Sequence, residues 1–128
     1  MAEFVGIKTF YKPADSAAIE KQINSFLESY ALTMDDIDLI ITGKSGDIKN
    51  DVVYEQVALV ASKPQGHYKH LCGDYSTASS FALWVAANCI KSGIFPDIVA
   101  SANIAPKKVL IYNHYQNTYH SLMLVSAC

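Results

Sequence analysis

Apolar residues along the first part of the chain alternate between short runs and helical stripes. Residues 1–8 contain an apolar stretch that is typical of a strand. An amphipathic helix of about four turns follows, with Asp15 or Ser16 as its N-cap and apolar residues recurring every three or four positions. A turn at residues 33–36 then leads into residues 37–42 (IDLIIT), a β-rich run that predicts a buried strand.

The middle of the chain predicts a second helix and a short strand. Residues 43–47 (GKSGD) break the preceding strand as a loop, and a helix follows with Asn50 or Asp51 as its N-cap. The Pro-Gln-Gly at residues 64–66 ends that helix. A short strand is predicted at residues 67–71.

The last part of the chain predicts a third helix and two more strands. Residues 77–91, closed by Gly93, form a helix that is apolar nearly all round and rich in small residues. A helix of this kind is typically buried on all sides. One domain of this size does not easily supply that much cover, so the helix indicates a missing partner. Strands at residues 108–113 and 122–126 then flank a polar, aromatic loop at residues 114–121, and together they suggest a hairpin.

This order, β-α-β-α-β-α-β-β, predicts an α/β layered structure with a mostly parallel sheet. The closing hairpin makes the sheet mixed. The length of 128 residues fits a single domain over residues 1–128.

Composition and charge narrow the classes of function. Hydrophobic residues make up 51% and charged residues 17%, which fits a folded domain. The net charge of −2 and the scattered basic residues argue against nucleic acid as a partner. The longest apolar stretch is too short to span a membrane, and no N-terminal signal is expected. Three cysteines without a CxxC pair favour a reducing, cytoplasmic compartment without disulfides.

Four segments resemble motifs of the β-ketoacyl synthase family. Residues 36–42 (DIDLIIT) resemble the strand that leads into the family's H-G-T loop, and residues 69–79 (KHLCGDYSTAS) resemble its K-x-x-x-G-H segment. Residues 92–96 (SGIFP) and 108–113 (KVLIYN) are similar to the two motifs that follow. The segments occur in the family's order, so the resemblance implies a thiolase-like half-fold with a buried central helix, equivalent to the family's C-terminal half.

The same resemblance shows which catalytic residues are replaced. The family's two catalytic histidines fall at Gly43 and Asp74. Its aspartate and lysine fall at Asp51 and Lys69, and Glu55 stands one residue after the family's glutamate. The nucleophilic cysteine belongs to the N-terminal half of the family, which this chain does not contain.

Condensation needs a thiolate to carry the acyl group and imidazole donors to stabilise the developing enolate. Glycine offers no donor and an ionised aspartate repels negative charge, so no catalytic set is expected to be intact. The resemblance therefore implies a non-condensing portion of a synthase-like protein, similar to chain-length factors. It implies an N-terminal synthase half or a paired synthase subunit as partner, a homo- or hetero-oligomer, and an acyl carrier protein. No cofactor and no metal site are expected.

Polar residues near the predicted hairpin are candidates for a substrate pocket. Asn113 is kept from the family's terminal motif, but other residues replace the glycines that follow it. The pocket candidates are Asn113, His114, Asn117 and His120. The alternative is that the histidines are ordinary polar loop residues.

The other motif positions also have simpler interpretations. Asp51 fits a helix N-cap and Asp74 a loop turn. Lys69 and Glu55 are either a buried ion pair or two solvated charges. Two other functions stay open: a standalone binding or scaffold domain, and an unrelated enzyme that uses Asp74 and His120.

Overall fold

The fold is given by a computed structural model, which describes residues 2–13, 15–43, 52, 54–55, 65–67, 78–92, 107–115 and 119–127. Two helices are α1 (Ser16–Glu28) and α2 (Ala78–Ser92), and a short 3₁₀ helix covers Met34–Asp36. Val52, Tyr54 and Glu55 are also helical. The strands are β1 (Ala2–Tyr11), β2 (Leu39–Thr42), β3 (Gln65–His67), β4 (Lys108–Tyr115) and β5 (Tyr119–Ala127). The predicted α/β order is confirmed.

The five strands form one mixed sheet in the order β1-β5-β4-β2-β3. β2 pairs in parallel with β3 and β4, whereas β5 pairs antiparallel with β4 and β1. The predicted hairpin of β4 and β5 is therefore confirmed. The sheet is less parallel than the helix–strand alternation suggests, because the first strand adds to the last one at the sheet edge.

The two faces of the sheet are covered by different helices. α1 packs one face against Ile40, Leu110, Leu122 and Leu124, and it buries its own apolar stripe of Ile19, Ile23, Phe26 and Leu27. α2 packs the opposite face against Leu39, Ile41, Val109, Ile111, Met123 and Val125. Alternate residues of each strand point to opposite faces, and both faces are covered, so residues 39–41 and 109–111 of the central strands are all apolar.

Local capping fixes where α1 begins and ends. The Asp15 carboxylate accepts a hydrogen bond from the Ala18 N–H at 2.9 Å, which confirms Asp15 as the N-cap. At the other end Leu32 N–H donates to Leu27 O and Ala31 N–H donates to Glu28 O, both at 3.0 Å. Ala31 has a φ of 60°, so α1 ends in a Schellman motif without the usual glycine.

The start of the central parallel pair is fixed by a side chain. Asp38 stands just before β2, and its carboxylate accepts hydrogen bonds from the backbone N–H groups of Lys107 at 2.9 Å and Lys108 at 3.0 Å. Asp38 N–H also donates to Lys108 O at 3.0 Å. These bonds align the beginnings of β2 and β4, so their carboxyl ends also lie side by side.

Among the described residues, the chain by itself covers only one side of the third helix, as expected for a helix that a single domain does not easily cover. The sheet buries Ala82, Val85, Ala86 and Ile90 of α2, but Trp84 on its outer side is 60% exposed. Asn88 and Lys91 are exposed on the same side. A single sheet covers one side of a helix, and the described residues supply no second layer over α2.

Three predicted strand boundaries are also corrected. β4 continues to Tyr115 and β5 begins at Tyr119, so His114 and His120 lie in strands and face each other across the hairpin. β3 begins at Gln65, where the end of a helix is predicted. It pairs through backbone groups with Ile40 and Ile41, and side-chain patterns carry little information about such pairing.

Among the described residues no helix is long and apolar enough to cross a membrane.

Candidate functional site

The candidate site lies at the carboxyl ends of β2 and β4. Gly43 directly follows β2 and is buried, and its N–H donates to Tyr112 O at 3.2 Å. This bond continues the parallel register, in which Thr42 lies opposite Tyr112. Gly43 and Asn113 therefore become neighbours although 70 positions of sequence separate them (113 − 43 = 70). Two of the predicted site residues are thus brought together.

Tyr54 joins this pair from the helical residues between β2 and β3. Its side chain is 1% exposed, and its hydroxyl donates to Asn113 Oδ1 at 3.2 Å. The same oxygen accepts a hydrogen bond from the His114 backbone N–H at 3.0 Å. Tyr54 therefore ties the end of β4 to the helical segment through one buried hydroxyl.

The space beside Gly43 is already filled by these two side chains. A Cβ atom at residue 43 would overlap Asn113 Oδ1, and it would lie 2.6 Å from the Tyr54 hydroxyl oxygen and 3.1 Å from Asn113 Cγ. Real Cβ atoms essentially never make contacts as short as the first two. Any side chain at this position would have to displace the carboxamide, the phenol or both.

Buried aromatic and imidazole rings lie next to this network, on the α1 side of the sheet. His114 and His120 are both buried and stack at a centroid distance of 5.4 Å. His120 also stacks on Phe10 at 4.9 Å, and Tyr54 lies 4.6 Å from the His114 ring. The predicted alternative of two polar loop histidines is therefore wrong, because cross-strand pairing places both rings in the core.

Burial also changes the ionisation of Tyr112, another ring of this cluster. Its hydroxyl lies 2.8 Å from His120 Nδ1 in a buried hydrogen bond. Burial removes water from the hydroxyl and disfavours the phenolate, so the pKa of Tyr112 rises well above its ordinary value. The hydroxyl therefore stays protonated at neutral pH and can donate to an unprotonated His120 Nδ1.

The structure describes only part of the predicted site. Gly43, Asn113 and His114 meet at Tyr54, and His120 lies one ring further along the hairpin. Glu55 is exposed, and Lys69, its partner in one of the two predicted interpretations, lies outside the described residues. The remaining candidates lie outside the described residues: Asp51, Lys69, Asp74 and Asn117.

Tyr54 is the residue of the site that the sequence did not reveal. It lies among apolar residues of a helical pattern, where a tyrosine is an ordinary core residue. Its partners are 59 and 60 positions away along the chain. Such long-range contacts depend on the fold, and the sequence pattern carries no local signal for them. No group of residues that could hold a metal ion occurs in the described part of the chain.

The chain matches solved structures but no known protein family or curated sequence. No protein-family model matches the chain, and no curated protein matches it. Solved structures do match. A chain from a complex of a type II polyketide synthase acyl-carrier protein with its ketosynthase bound to the hexaketide superposes with a TM-score of 0.80 at 16% identity. That match covers 99% of this protein and 38% of the other chain.

Two further structures superpose at lower scores. They are 3-oxoacyl-[acyl-carrier-protein] synthase III from Aquifex aeolicus, with a TM-score of 0.58 at 13% identity, and the tetronic acid condensing enzyme AbyA1, with 0.60 at 12% identity. Each match covers 98% of this protein but only 44% and 43% of the other chains, respectively. The chain thus spans less than half the length of the structures that it matches. It has the thiolase-like half-fold found in these ketosynthase-type condensing enzymes.

Proposed function

We propose that this chain is the C-terminal-half portion of a β-ketoacyl-synthase-like protein of fatty-acid or polyketide-type biosynthesis, and that its role is non-condensing. Two independent lines support the family. Four motif-like segments follow the family's order along the sequence. The fold superposes on condensing enzymes over nearly the whole chain. The sequence identities are low, so the chemistry has to be argued from the site.

One observation carries the non-condensing role: the packing around Gly43. The resemblance puts a catalytic histidine at this position, but Asn113 and Tyr54 already occupy the space that a Cβ atom would need. The imidazole donor is therefore absent, and its place is filled by a hydrogen-bonded pair that holds itself in position. Losing one donor to a developing oxyanion typically costs about a hundred- to thousand-fold in rate.

A role like that of a chain-length factor fits this arrangement. Such a subunit keeps the condensing-enzyme fold and shapes the path of the acyl chain, while its partner performs the chemistry. Asn113, His114 and His120 remain pocket candidates under this proposal, and so does Asn117.

The partner that we propose is an N-terminal synthase half or a paired synthase subunit. The structures with the same fold are more than twice as long as the part that matches this chain. The outer side of α2, with Trp84 exposed, is a surface that such a partner would cover. An acyl carrier protein is proposed as a further partner, because one neighbour is a ketosynthase complex with its carrier protein. Three cysteines without a paired motif favour a cytoplasmic location.

The decisive experiment combines association with activity. The chain is co-expressed with the N-terminal synthase half from the same genome, and the solution mass of the purified complex is measured. We expect a stable complex. We also expect that no acyl group is loaded on this chain and that no malonyl thioester is condensed at the site of this chain. A Gly43→His variant is the matched control, and it is expected to remain inactive because Tyr54 and Asn113 block the position.

Two outcomes would contradict the proposal. Condensation by the unmodified chain at the level of an intact synthase would exclude the non-condensing role. A monodisperse chain that does not bind the synthase half would favour the standalone binding domain instead.

A further inference from the structure

The two hydrogen bonds of Tyr54 fix the orientation of the Asn113 side chain. A backbone N–H can only donate, so the Tyr54 oxygen accepts from His114. The hydroxyl hydrogen is then directed to Asn113, and the atom that receives it must be an acceptor. The carboxamide oxygen is therefore the end that faces Tyr54. Nδ2, which carries two donor hydrogens, lies at the other end.

Gly43 confines the same carboxamide from a second direction. A Cβ atom at residue 43 would overlap Asn113 Oδ1, so the oxygen can lie there only because residue 43 is glycine. The carboxamide is thus held between a hydroxyl donor and a backbone that leaves room for it. Tyr54 is buried, whereas Asn113 is only half-buried. The fixed side chain therefore sits at the boundary between the core and the outside of the sheet.

We infer that Gly43 and Tyr54 position Asn113 so that Nδ2 donates a hydrogen bond to the carbonyl oxygen of an acyl thioester. The ligand class rests on the function proposed above, whereas the orientation of the carboxamide rests on the contacts alone. The location fits a ligand, since open α/β sheets bind their ligands at the carboxyl ends of strands. A donor whose rotamer is already fixed loses little entropy on binding, so Tyr54 acts as a positioning residue.

A titration with a small thioester tests this inference. The ¹⁵N-labelled chain is titrated with S-acetyl-N-acetylcysteamine, and the side-chain amide signal of Asn113 is followed by NMR. We expect this signal to shift on binding. The matched control ligand is S-ethyl-N-acetylcysteamine, which lacks only the thioester carbonyl and should leave the signal in place.

Three variants separate positioning from a general effect on folding. Tyr54→Phe should weaken binding of the thioester about three- to tenfold, the value of one hydrogen bond, and should change the Asn113 amide signal before any ligand is added. Asn113→Asp keeps an oxygen for Tyr54 but removes the donor, so it should abolish the preference for thioester over thioether. Ser29→Ala removes a hydroxyl that donates to the Phe26 carbonyl at the end of α1, outside the candidate site, and should bind the thioester like the unmodified chain.

Two results would overturn the inference. One is equal binding of thioester and thioether by the unmodified chain, including no binding of either. The other is unchanged thioester affinity in Tyr54→Phe. The function proposed above fails by a different measurement, the absence of a complex with the synthase half, so the two failures can be told apart.

Discussion

At the scale of single residues, the space beside Gly43 is filled by the side chains of two neighbours. Tyr54 and Asn113 hydrogen-bond to each other in the space that a side chain at residue 43 would use. The resemblance expects an imidazole here, but glycine has no side chain. The Asn113 carboxamide occupies the space instead, and Tyr54 holds it there.

Gly43→Ala should destabilise the chain by about 1–3 kcal/mol, because the added methyl group overpacks a filled space. Asn113→Ala removes the atoms that the new Cβ would meet first, so Gly43→Ala should cost clearly less in that background. Urea unfolding of the two single variants and the double variant measures this coupling. Strictly additive free energies would show that Gly43 and Asn113 do not share the space.

The second residue-scale prediction concerns stability at alkaline pH. Burial raises the pKa of Tyr112 in the folded chain above the value of about 10 that it has when unfolded. Above about pH 10 the unfolded chain therefore releases this proton while the folded chain keeps it, and stability falls as pH rises. Below that pH both states keep the proton and the contribution is constant.

Tyr112→Phe should lose about 1–3 kcal/mol at neutral pH with the hydrogen bond to His120. Its stability should also fall less steeply above about pH 10, because the tyrosine with the raised pKa is gone. The free energy of unfolding, measured in urea across this range for both proteins, tests the point. The same alkaline slope in both would contradict the role assigned to Tyr112.

At the scale of elements, α1 ends where the sequence offers no glycine. Ala31 occupies the left-handed position of the Schellman motif with a φ of 60°. A Cβ atom is unfavourable there, and the hydrogen bonds of the helix end and the burial of Leu27 outweigh this cost. The break between α1 and the 3₁₀ helix is therefore set by packing.

Ala31→Gly should stabilise the chain by roughly 0.5–1 kcal/mol, since glycine adopts positive φ without steric cost. Ala17→Gly is the matched control, because Ala17 is an exposed residue in the first turn of α1 with ordinary helical geometry. That change should destabilise by a similar amount. Thermal unfolding of both variants gives the comparison, and a loss of stability in Ala31→Gly would refute the account of the helix end.

At the scale of the whole molecule, several large side chains among the described residues are exposed on the α2 side of the sheet. The register of β1 and β5 puts further large side chains on this side, opposite or beside residues that α2 covers. These exposed side chains are Phe4, Ile7, Tyr11 and Tyr119. Together with Trp84 they form an exposed apolar surface on one side of the molecule. A partner that buries this surface fits the function proposed above.

Trp84 is the single tryptophan of the chain, so its fluorescence reports directly on this side. In the chain alone, 60% exposure predicts red-shifted emission that acrylamide quenches readily. Binding of the synthase half should shift the emission to the blue and reduce quenching. Complex formation without any change in emission would show that the partner docks elsewhere.

The resemblance and the helix–strand pattern identified most of the fold, for a physical reason. Apolar periodicity records which side of each element is buried, so α1, β2, α2, β4 and β5 were found near their observed bounds. The pattern did not reveal that β1 pairs with β5, nor that β3 begins at Gln65. Strand pairing uses backbone groups that every residue carries, so it leaves little trace in the sequence.

The site divides in the same way. The sequence by itself determined that Gly43 stands where the resemblance expects a histidine and that Asn113 belongs to the segment of a buried strand, because both follow from motif positions. Only the tertiary structure decided that Tyr54 fills the space between them and that His114 and His120 are core residues. Those facts depend on contacts between side chains far apart along the chain, and such contacts exist only once the sheet has brought its strand ends together.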